Sequence, residues 1–175
     1  MLGYAGVGTV VWEDLICMAT KVFTLEQARA LIPALRELLE AANDELESFH
    51  LRLEEVNDQV RVAEARLDAA DLCMSEDPGA DGLQMASGQY ERAIAELSAA
   101  QKDFLDRLNY WVDRISENGV ILRDIRSGLL DFPARQGKLD YFLCWCLGED
   151  DILYWHLVND GFIGRKPLAI LGEYF

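Results

Sequence analysis

Apolar residues recur along the first half of the chain in steps that alternate between four and three residues. The series runs through Leu35, Leu39, Ala42, Leu46, Phe49, Leu53, Val56, Val60, Ala63, Leu67, Ala70 and Met74. A strict seven-residue repeat of this length is typical of a coiled-coil helix, and it predicts a helix about 60 Å long at about 1.5 Å per residue. Thr24 and Gln27 form a capping box near its start, and Pro33 predicts a kink or a separate first turn.

A second helix is predicted after the segment SEDPGADG, residues 75–82, which is typical of a turn. Its series runs through Tyr90, Ile94, Leu97, Gln101, Phe104, Leu108, Trp111 and Ile115. Gln101 is the polar member of this series, and we interpret it either as a residue that fixes helix register or as a side chain that reaches solvent. Asn118 and Gly119 predict the helix end. The short connection between the helices predicts an antiparallel hairpin.

Beyond Gly119 the apolar pattern changes to every second residue, which is typical of β-strands. The predicted strands cover residues 120–125, 128–132, 139–147 and 152–157. Gly148 and Glu149 are predicted to form a two-residue type II′ turn that pairs Leu143 with Tyr154. The predicted fold class is therefore α+β: a long antiparallel α-helical hairpin (coiled coil) packed on a small antiparallel β-sheet of three to four strands.

One domain is predicted over residues 22–175, with the helical hairpin in residues 22–118 and the sheet and an irregular tail in residues 119–175. Residues 1–21 are interpreted as an N-terminal extension. Met18 begins the segment MATKVFTLEQ and is therefore a possible alternative start.

The charge of the chain narrows the classes of partner. Thirty-one acidic residues against 16 basic ones give a formal charge of −15. Such a surface repels nucleic-acid phosphates and anionic lipid headgroups, so we expect no nucleic-acid and no membrane partner. The four cysteines (Cys17, Cys73, Cys144 and Cys146) show no CxxC spacing and predict a reducing, cytoplasmic location.

The segment LCWCLGEDDILYWH, residues 143–156, concentrates residue types that bind transition metals. Cys144 and His156, with Asp131 from the preceding strand, are the candidate ligands of a divalent transition metal. The predicted Gly148-Glu149 turn opposes this hypothesis, because it places Cys144 and His156 on opposite faces of the sheet. If Gln136 and Gly137 form the preceding turn, Asp131 lies opposite Phe142, on the same face as Cys144 and diagonal to it. An odd-length loop or a bulge in the hairpin brings the ligands together. If the hairpin has neither feature, we interpret Cys144, Cys146 and His156 as buried structural residues that bind no metal.

Two further hypotheses concern the same region. Arg165 follows the glycines Gly161 and Gly164, and it either clamps Asp131 or Glu149 or binds a small anion. Cys144, His156 and Asp131 also have the residue types of a thiol triad. A cysteine in the middle of a strand is a poor nucleophile, because it lacks an exposed cleft and a base within hydrogen-bonding reach. Catalytic residues are therefore not assigned.

The motifs FTLEQARALIP, GLLDFP, LCW, GE, WH and GF, followed by Arg165, Pro167 and Leu168, resemble an uncharacterised bacterial family, domain-of-unknown-function family 2203. The resemblance covers about residues 22–168. Departures are the N-terminal extension and Cys146, which stands where a polar residue is more usual in the family. The resemblance implies an architecture and draws attention to the C-terminal motifs, and it implies no activity.

Both faces of the predicted sheet are apolar, although an antiparallel sheet usually exposes one face to water. The second face therefore needs the tail, the N-terminal extension or another subunit, and we predict a homodimer through the sheet. The favoured function is a non-enzymatic interaction or scaffold protein that presents its coiled-coil arms to a protein partner. The alternative is a small metal-dependent binding or catalytic module with a site near Asp131, Cys144, Glu149, His156 and Arg165.

Overall fold

The computed structural model describes residues 21–74 and 80–174, and within them two long helices precede a five-stranded sheet. Helix α1 spans Leu25–Met74 and helix α2 spans Ala80–Ser116. The predicted capping box is present, since the Thr24 amide donates to Gln27 Oε1 (3.0 Å) and the Gln27 amide donates to Thr24 Oγ1 (3.2 Å). Helix α1 continues through Pro33, so the prediction of a separate first turn there is wrong. The predicted N-terminal extension lies almost entirely outside the described residues.

The chain divides into two compact units. One unit holds the described residues up to Glu40 together with those from Val112 onward, and the other is Ala41–Trp111. The second unit is helical. Its α1 residues follow the predicted apolar series, and we call the buried stripe that they form the seam. The buried members are Ala42, Leu46, Val56, Val60 and Ala63. Whether residues 22–175 behave as one domain stays a prediction, as does supercoiling of the helices.

The α2 side of this seam corrects one prediction. Ala93 and Ala100 are buried, whereas Ile94 and Gln101 are exposed. Gln101 therefore does not fix the helix register from inside the seam. Small alanines are buried in place of Ile94 and Gln101. The two series differ at Ile94 and Gln101, and the other predicted members are at least partly buried: Tyr90, Leu97, Phe104, Leu108, Trp111 and Ile115.

The sheet is antiparallel throughout and has strand order β1-β2-β3-β4-β5. It has one strand more than the upper predicted number, because two residues of the tail pair with β4. The strands are β1 (Ile121–Asp124), β2 (Leu129–Gln136), β3 (Leu139–Trp145), β4 (Tyr154–Leu157) and β5 (Lys166–Pro167). Two 3₁₀ segments, Phe162–Gly164 and Leu168–Tyr174, flank β5.

The β2–β3 hairpin turns one residue later than predicted, so its cross-strand pairs differ from the predicted ones by two residues. Gln136 pairs with Leu139, so the two-residue connection is Gly137-Lys138, and Gly137 has φ +61°. A positive φ at the first loop position favours glycine, which is why Gly137 opens the connection. Asp131 consequently lies opposite Cys144 and not opposite Phe142.

The β3–β4 connection overturns the predicted type II′ turn. Cys144 pairs with Tyr154, and Leu143 pairs with Trp155. The Glu149 amide donates to the Cys146 carbonyl (3.0 Å), and Gly148, at the third position of that turn, has φ +98°. A positive φ at this position is typical of a type II turn. Between the paired residues Cys144 and Tyr154 lie residues 145–153, an odd number, so His156 lies on the same face as Cys144, in contrast to the prediction.

The two faces of the sheet have different environments within the first unit. The inner face, which carries Leu143 and Trp155, packs against Leu35, Leu39 and Ile115 of the helices in one buried cluster. The outer face carries Asp131, Cys144 and His156, and residues 158–162 of the tail line a cavity with them. The tail, one of the predicted alternatives, thus borders part of this face within a single chain. The homodimer stays a prediction.

Neither described helix is apolar over a stretch that could cross a membrane.

Candidate metal centre

Three adjacent strands each contribute one metal-binding side chain to the outer face of the sheet. These residues are Asp131 from β2, Cys144 from β3 and His156 from β4, and we call them the Asp–Cys–His cluster. Cys144 is the direct cross-strand partner of Asp131, and His156 pairs with Phe142, two residues along β3. One potential ligand atom from each lies within 4.8 Å of the others, and all three residues are buried. No described His, Cys, Asp or Glu joins them as a fourth member.

Asp131 is held as a carboxylate by two basic partners. Its Oδ1 lies 3.1 Å from His156 Nε2, and its Oδ2 accepts a hydrogen bond of 2.7 Å from Arg123 Nε. Burial by itself raises the pKa of this carboxyl, but the hydrogen bonds and positive charges of His156 and Arg123 outweigh that effect and hold the pKa below its ordinary value. The site therefore presents an ionised oxygen to His156.

His156 has one nitrogen committed to the backbone and the other directed at the cluster. Nδ1 lies 2.8 Å from the carbonyl oxygen of Leu157. Because a carbonyl oxygen only accepts, Nδ1 must carry a proton and donate it. Burial lowers the pKa of the imidazole, but the hydrogen bond and negative charge of Asp131 overcome that effect and raise the pKa above its ordinary value. Nε2 thus holds either a proton or a cation between itself and Asp131.

Cys144 is a neutral thiol in the metal-free protein. Burial, followed by the negative charge of Asp131, raises the pKa of the thiol to about 12. A nucleophilic cysteine needs the opposite shift, because the thiolate is the reactive form. The raised pKa of the Cys144 thiol therefore argues against the thiol triad considered in the sequence analysis. A bound cation reverses the electrostatics, since a coordinating thiol is deprotonated.

Glu149 and Arg165 form a separate pair beside the cluster. Arg165 Nη2 donates to Glu149 Oε2 (2.8 Å) and lies 3.4 Å from the Cys144 carbonyl oxygen. Glu149 Oε2 also accepts from the Cys146 amide (2.9 Å). The guanidinium of Arg165 lies over the ring of Tyr154, 4.4 Å from its centroid. Of the two carboxylates considered as partners of Arg165, the structure selects Glu149, and the contact ties the tail to the β3–β4 connection.

A cavity of about 400 Å³ opens on the outer face beside the cluster. All three cluster residues contribute to its lining, together with Arg123. Its other walls are mainly apolar, and they come from Leu129, at the start of β2, and from residues 158–162 after β4. The cluster is therefore buried from bulk solvent and still borders a space large enough for a small molecule.

Sequence reasoning did not identify Arg123. It lies in β1 between Leu122 and Asp124, where the β1–β2 register shifts. Such an irregularity changes the direction in which a side chain points and breaks the two-residue alternation on which the strand prediction depended. One signal was available: a buried Asp131 needs a basic partner, and Arg123 is a nearby basic residue on the neighbouring strand.

The spacing of the cluster suits a tetrahedral ion after small adjustments of the distances between the ligand atoms. Metal–ligand bonds of about 2.0–2.3 Å place tetrahedral ligand atoms about 3.3–3.7 Å apart. The Asp131–His156 distance of 3.1 Å is close to that range, and the remaining gaps do not exceed 4.8 Å. Thiolate, imidazole and carboxylate together favour zinc or a neighbouring transition metal over magnesium or calcium.

A family model described as an uncharacterized conserved protein (DUF2203) matches residues 21–168. No curated protein matches the chain, and no solved structure matches it.

Proposed function

Because the chain belongs to the uncharacterized conserved protein family DUF2203, whose description carries no activity, we propose a function from the geometry: a small module that binds a divalent transition metal through Asp131, Cys144 and His156. This was the alternative hypothesis from the sequence. It is now favoured because the observed strand register supports what the predicted turn opposed.

The observation that carries the proposal is the orientation of His156. Its Nδ1 donates to the Leu157 carbonyl (2.8 Å), while its Nε2 faces Asp131 Oδ1 at 3.1 Å. Metal-binding histidines usually have this arrangement, in which one nitrogen donates to a backbone carbonyl or carboxylate and the other binds the ion. Arg123 orients Asp131 in the same way, since it occupies Oδ2 and leaves Oδ1 directed at the cluster.

A bound ion would also balance the buried negative charge of the site. Without it, the buried carboxylate of Asp131 requires a protonated His156, and Cys144 is a thiol next to a negative charge. A divalent cation replaces the proton on Nε2 and the proton on the thiol, so the total charge of the cluster is unchanged. The competing explanation is a purely structural ion pair between Asp131, His156 and Arg123, which predicts no metal uptake.

Elemental analysis of the purified, tag-free full chain tests the proposal. The protein is stripped with a chelator, dialysed against zinc and freed of excess metal. We expect about one zinc per chain in the wild type and a loss of at least about tenfold in affinity for Cys144→Ser and for His156→Ala.

Two matched controls separate a metal site from nonspecific binding. Cys146→Ser removes a neighbouring thiol outside the cluster, and His50→Ala removes the other histidine of the chain, which lies on α1. Both are expected to retain the zinc of the wild type. Absence of zinc from the reloaded wild type contradicts the proposal. Equal losses in the control and cluster variants also contradict it.

A scaffold role remains a second proposal, and one observation favours it. The helical unit exposes large apolar side chains, including Leu51, Val62 and Met85, each more than half exposed. Such side chains suit a protein partner at the arms or a second copy of the chain. Sedimentation equilibrium of the wild type and of a triple variant with serine at these positions tests this. A monomeric wild type argues against the homodimer, and a dimer unaffected by the substitutions argues against the arms as its interface.

A further inference from the structure

We infer that the cavity beside the Asp–Cys–His cluster binds a small carboxylate with an apolar body, whose oxygen takes the fourth coordination position of the metal ion. This inference rests on the proposed metal site and deepens it by naming a class of ligand.

The number of protein ligands is the first step of the argument. Structural zinc sites are closed by four protein ligands, whereas sites that exchange ligands have three and leave one position open. Asp131, Cys144 and His156 supply three, and no described His, Cys, Asp or Glu lies close enough to join them. The fourth position is therefore available to a molecule from outside the chain.

The position of the cavity is the second step. All three ligands line the same space of about 400 Å³, on the outer face of the sheet. The inner face of the sheet, on the opposite side from the cavity, is buried in the hydrophobic core. An open coordination position can therefore be reached from this cavity, and its volume lies at the small end of the range for ligand pockets.

The net charge of the metal-loaded site favours an anion as the ligand. The two positive charges of the ion are offset by the Asp131 carboxylate and by Cys144 as a thiolate. Arg123, on the same wall, adds one positive charge. Asp160 also lines the cavity, but it forms an ion pair of 2.8 Å with Lys166. The loaded site thus carries about one positive charge, which a monoanion neutralises.

The remaining walls select the body of that anion. Leu129, Val158 and Phe162 give the cavity apolar surface, and Phe162 is the more exposed part of its border. Apolar surface in a pocket favours a hydrocarbon group on the ligand because its burial removes both surfaces from water. A carboxylate attached to a small ring or branched chain therefore fits both the charged floor and the apolar walls.

Cobalt(II) in place of zinc makes the fourth position visible by its absorption. The full chain is loaded with one cobalt per molecule and titrated separately with benzoate, acetate and benzyl alcohol. We expect benzoate to change the visible ligand-field bands and to bind at least about tenfold more tightly than acetate, which lacks the ring, or benzyl alcohol, which lacks the charge.

A variant that fills the cavity tests where benzoate binds. Val158→Trp is expected to keep its cobalt and lose the response to benzoate by at least about tenfold. Val22→Trp makes the same change at an exposed position before α1 that does not line this cavity, and it is expected to respond like the wild type.

The outcomes are distinguishable. Failure of the chain to bind cobalt overturns the proposed function, and the ligand inference falls with it. Cobalt binding without any response to benzoate overturns the ligand inference alone, as does equal binding of benzoate to the metal-free protein. Retention of the benzoate response in Val158→Trp places the ligand outside the cavity and also overturns the inference.

Discussion

Cys144 lies directly across the β2–β3 ladder from Asp131, and this pairing makes a metal site possible on the outer face of the sheet. Directly paired residues of neighbouring strands share a face and lie close together. His156 then completes the cluster from β4, because it pairs with Phe142, which lies on the same face of β3 as Cys144. Three positions that are far apart in sequence are thereby brought together, with one potential ligand atom of each within 4.8 Å of the others.

Arg123 orients Asp131, so its removal is expected to weaken metal binding without removing a ligand. Arg123→Gln leaves Asp131 Oδ2 without its 2.7 Å partner. Loss of such an outer partner typically reduces metal affinity by about 10–100-fold. Zinc affinity is measured by competition with a chromophoric chelator.

Arg135→Gln is the matched control for this experiment, because Arg135 forms an exposed ion pair with Asp140 on the neighbouring strand. An unchanged zinc affinity in Arg123→Gln, or an equal loss in the control, contradicts the positioning role of Arg123.

Metal affinity is expected to rise with pH. Zinc displaces the proton of Cys144, whose pKa is about 12 in the metal-free protein, and also that of His156 wherever its raised pKa keeps it protonated. The affinity is therefore expected to increase between about tenfold and about a hundredfold per pH unit near neutrality. Competition titrations at several pH values measure the slope.

Cys144→Ser removes one of the two displaced protons and is expected to lower that slope by about one proton per ion. A wild-type affinity that does not change with pH excludes coordination by these two side chains.

The stability of the metal-free protein is expected to depend on the protonation of His156. Its folded pKa is raised, so its contribution is complete below the unfolded value of about 6.5 and is lost as pH rises through the higher folded value. Asp131 has a lowered folded pKa, so its contribution is present above about pH 3.9 and is lost as pH falls through the lower folded value. Both contributions are therefore present between about pH 4 and about pH 6.5.

Denaturant unfolding in the presence of a chelator measures this effect. The difference in free energy of unfolding between the wild type and His156→Gln is expected to be larger at about pH 5.5 than at about pH 9. An equal difference at both pH values shows that folding does not shift the pKa of His156, and it contradicts the ion pair.

Two glycines are expected to respond to alanine in opposite directions. Gly148→Ala forces a side chain into a turn position with φ +98°, and we expect a destabilisation of about 1 kcal/mol or more. Gly88 lies inside α2, and a Cβ there meets no atom within 4 Å. Gly88→Ala is therefore expected to stabilise the protein by about 0.5–1 kcal/mol. Thermal unfolding of both variants checks the signs, and a neutral Gly148→Ala contradicts the assigned turn.

The sequence was sufficient for the helices and for the existence of β1 to β4, because each depends on local periodicity, but it did not predict the two-residue β5 in the tail. It was insufficient for the α2 seam, where Ile94 and Ala93 both satisfy an alternating four–three spacing. The pattern favours the larger residue, Ile94, whereas the structure buries the smaller one, Ala93. Periodicity defines the apolar stripe of a helix only to within one position when alanine is its neighbour.

The candidate site could be predicted by residue type but not by geometry. Gly148 suits both a type II′ turn at its first central position and a type II turn at its second. These alternatives differ in the face on which His156 lies. That choice depends on hydrogen bonds such as the one from the Glu149 amide to the Cys146 carbonyl, which no local pattern specifies. Arg123 was missed for a related reason, since the register shift in β1 is invisible to a two-residue alternation.

The three ligands come from three successive strands, and this has a consequence for how the sheet assembles. A shift of β4 by one residue against β3 turns His156 to the inner face and Trp155 to the outer one. Only the native pairing, with Leu143 opposite Trp155, assembles the binding site. An ion that binds only the native strand pairing stabilises that pairing by mass action. It does not stabilise a pairing in which a strand has slipped. An ion bound at the proposed site would therefore stabilise the correct alignment of β3 and β4 relative to a slipped one.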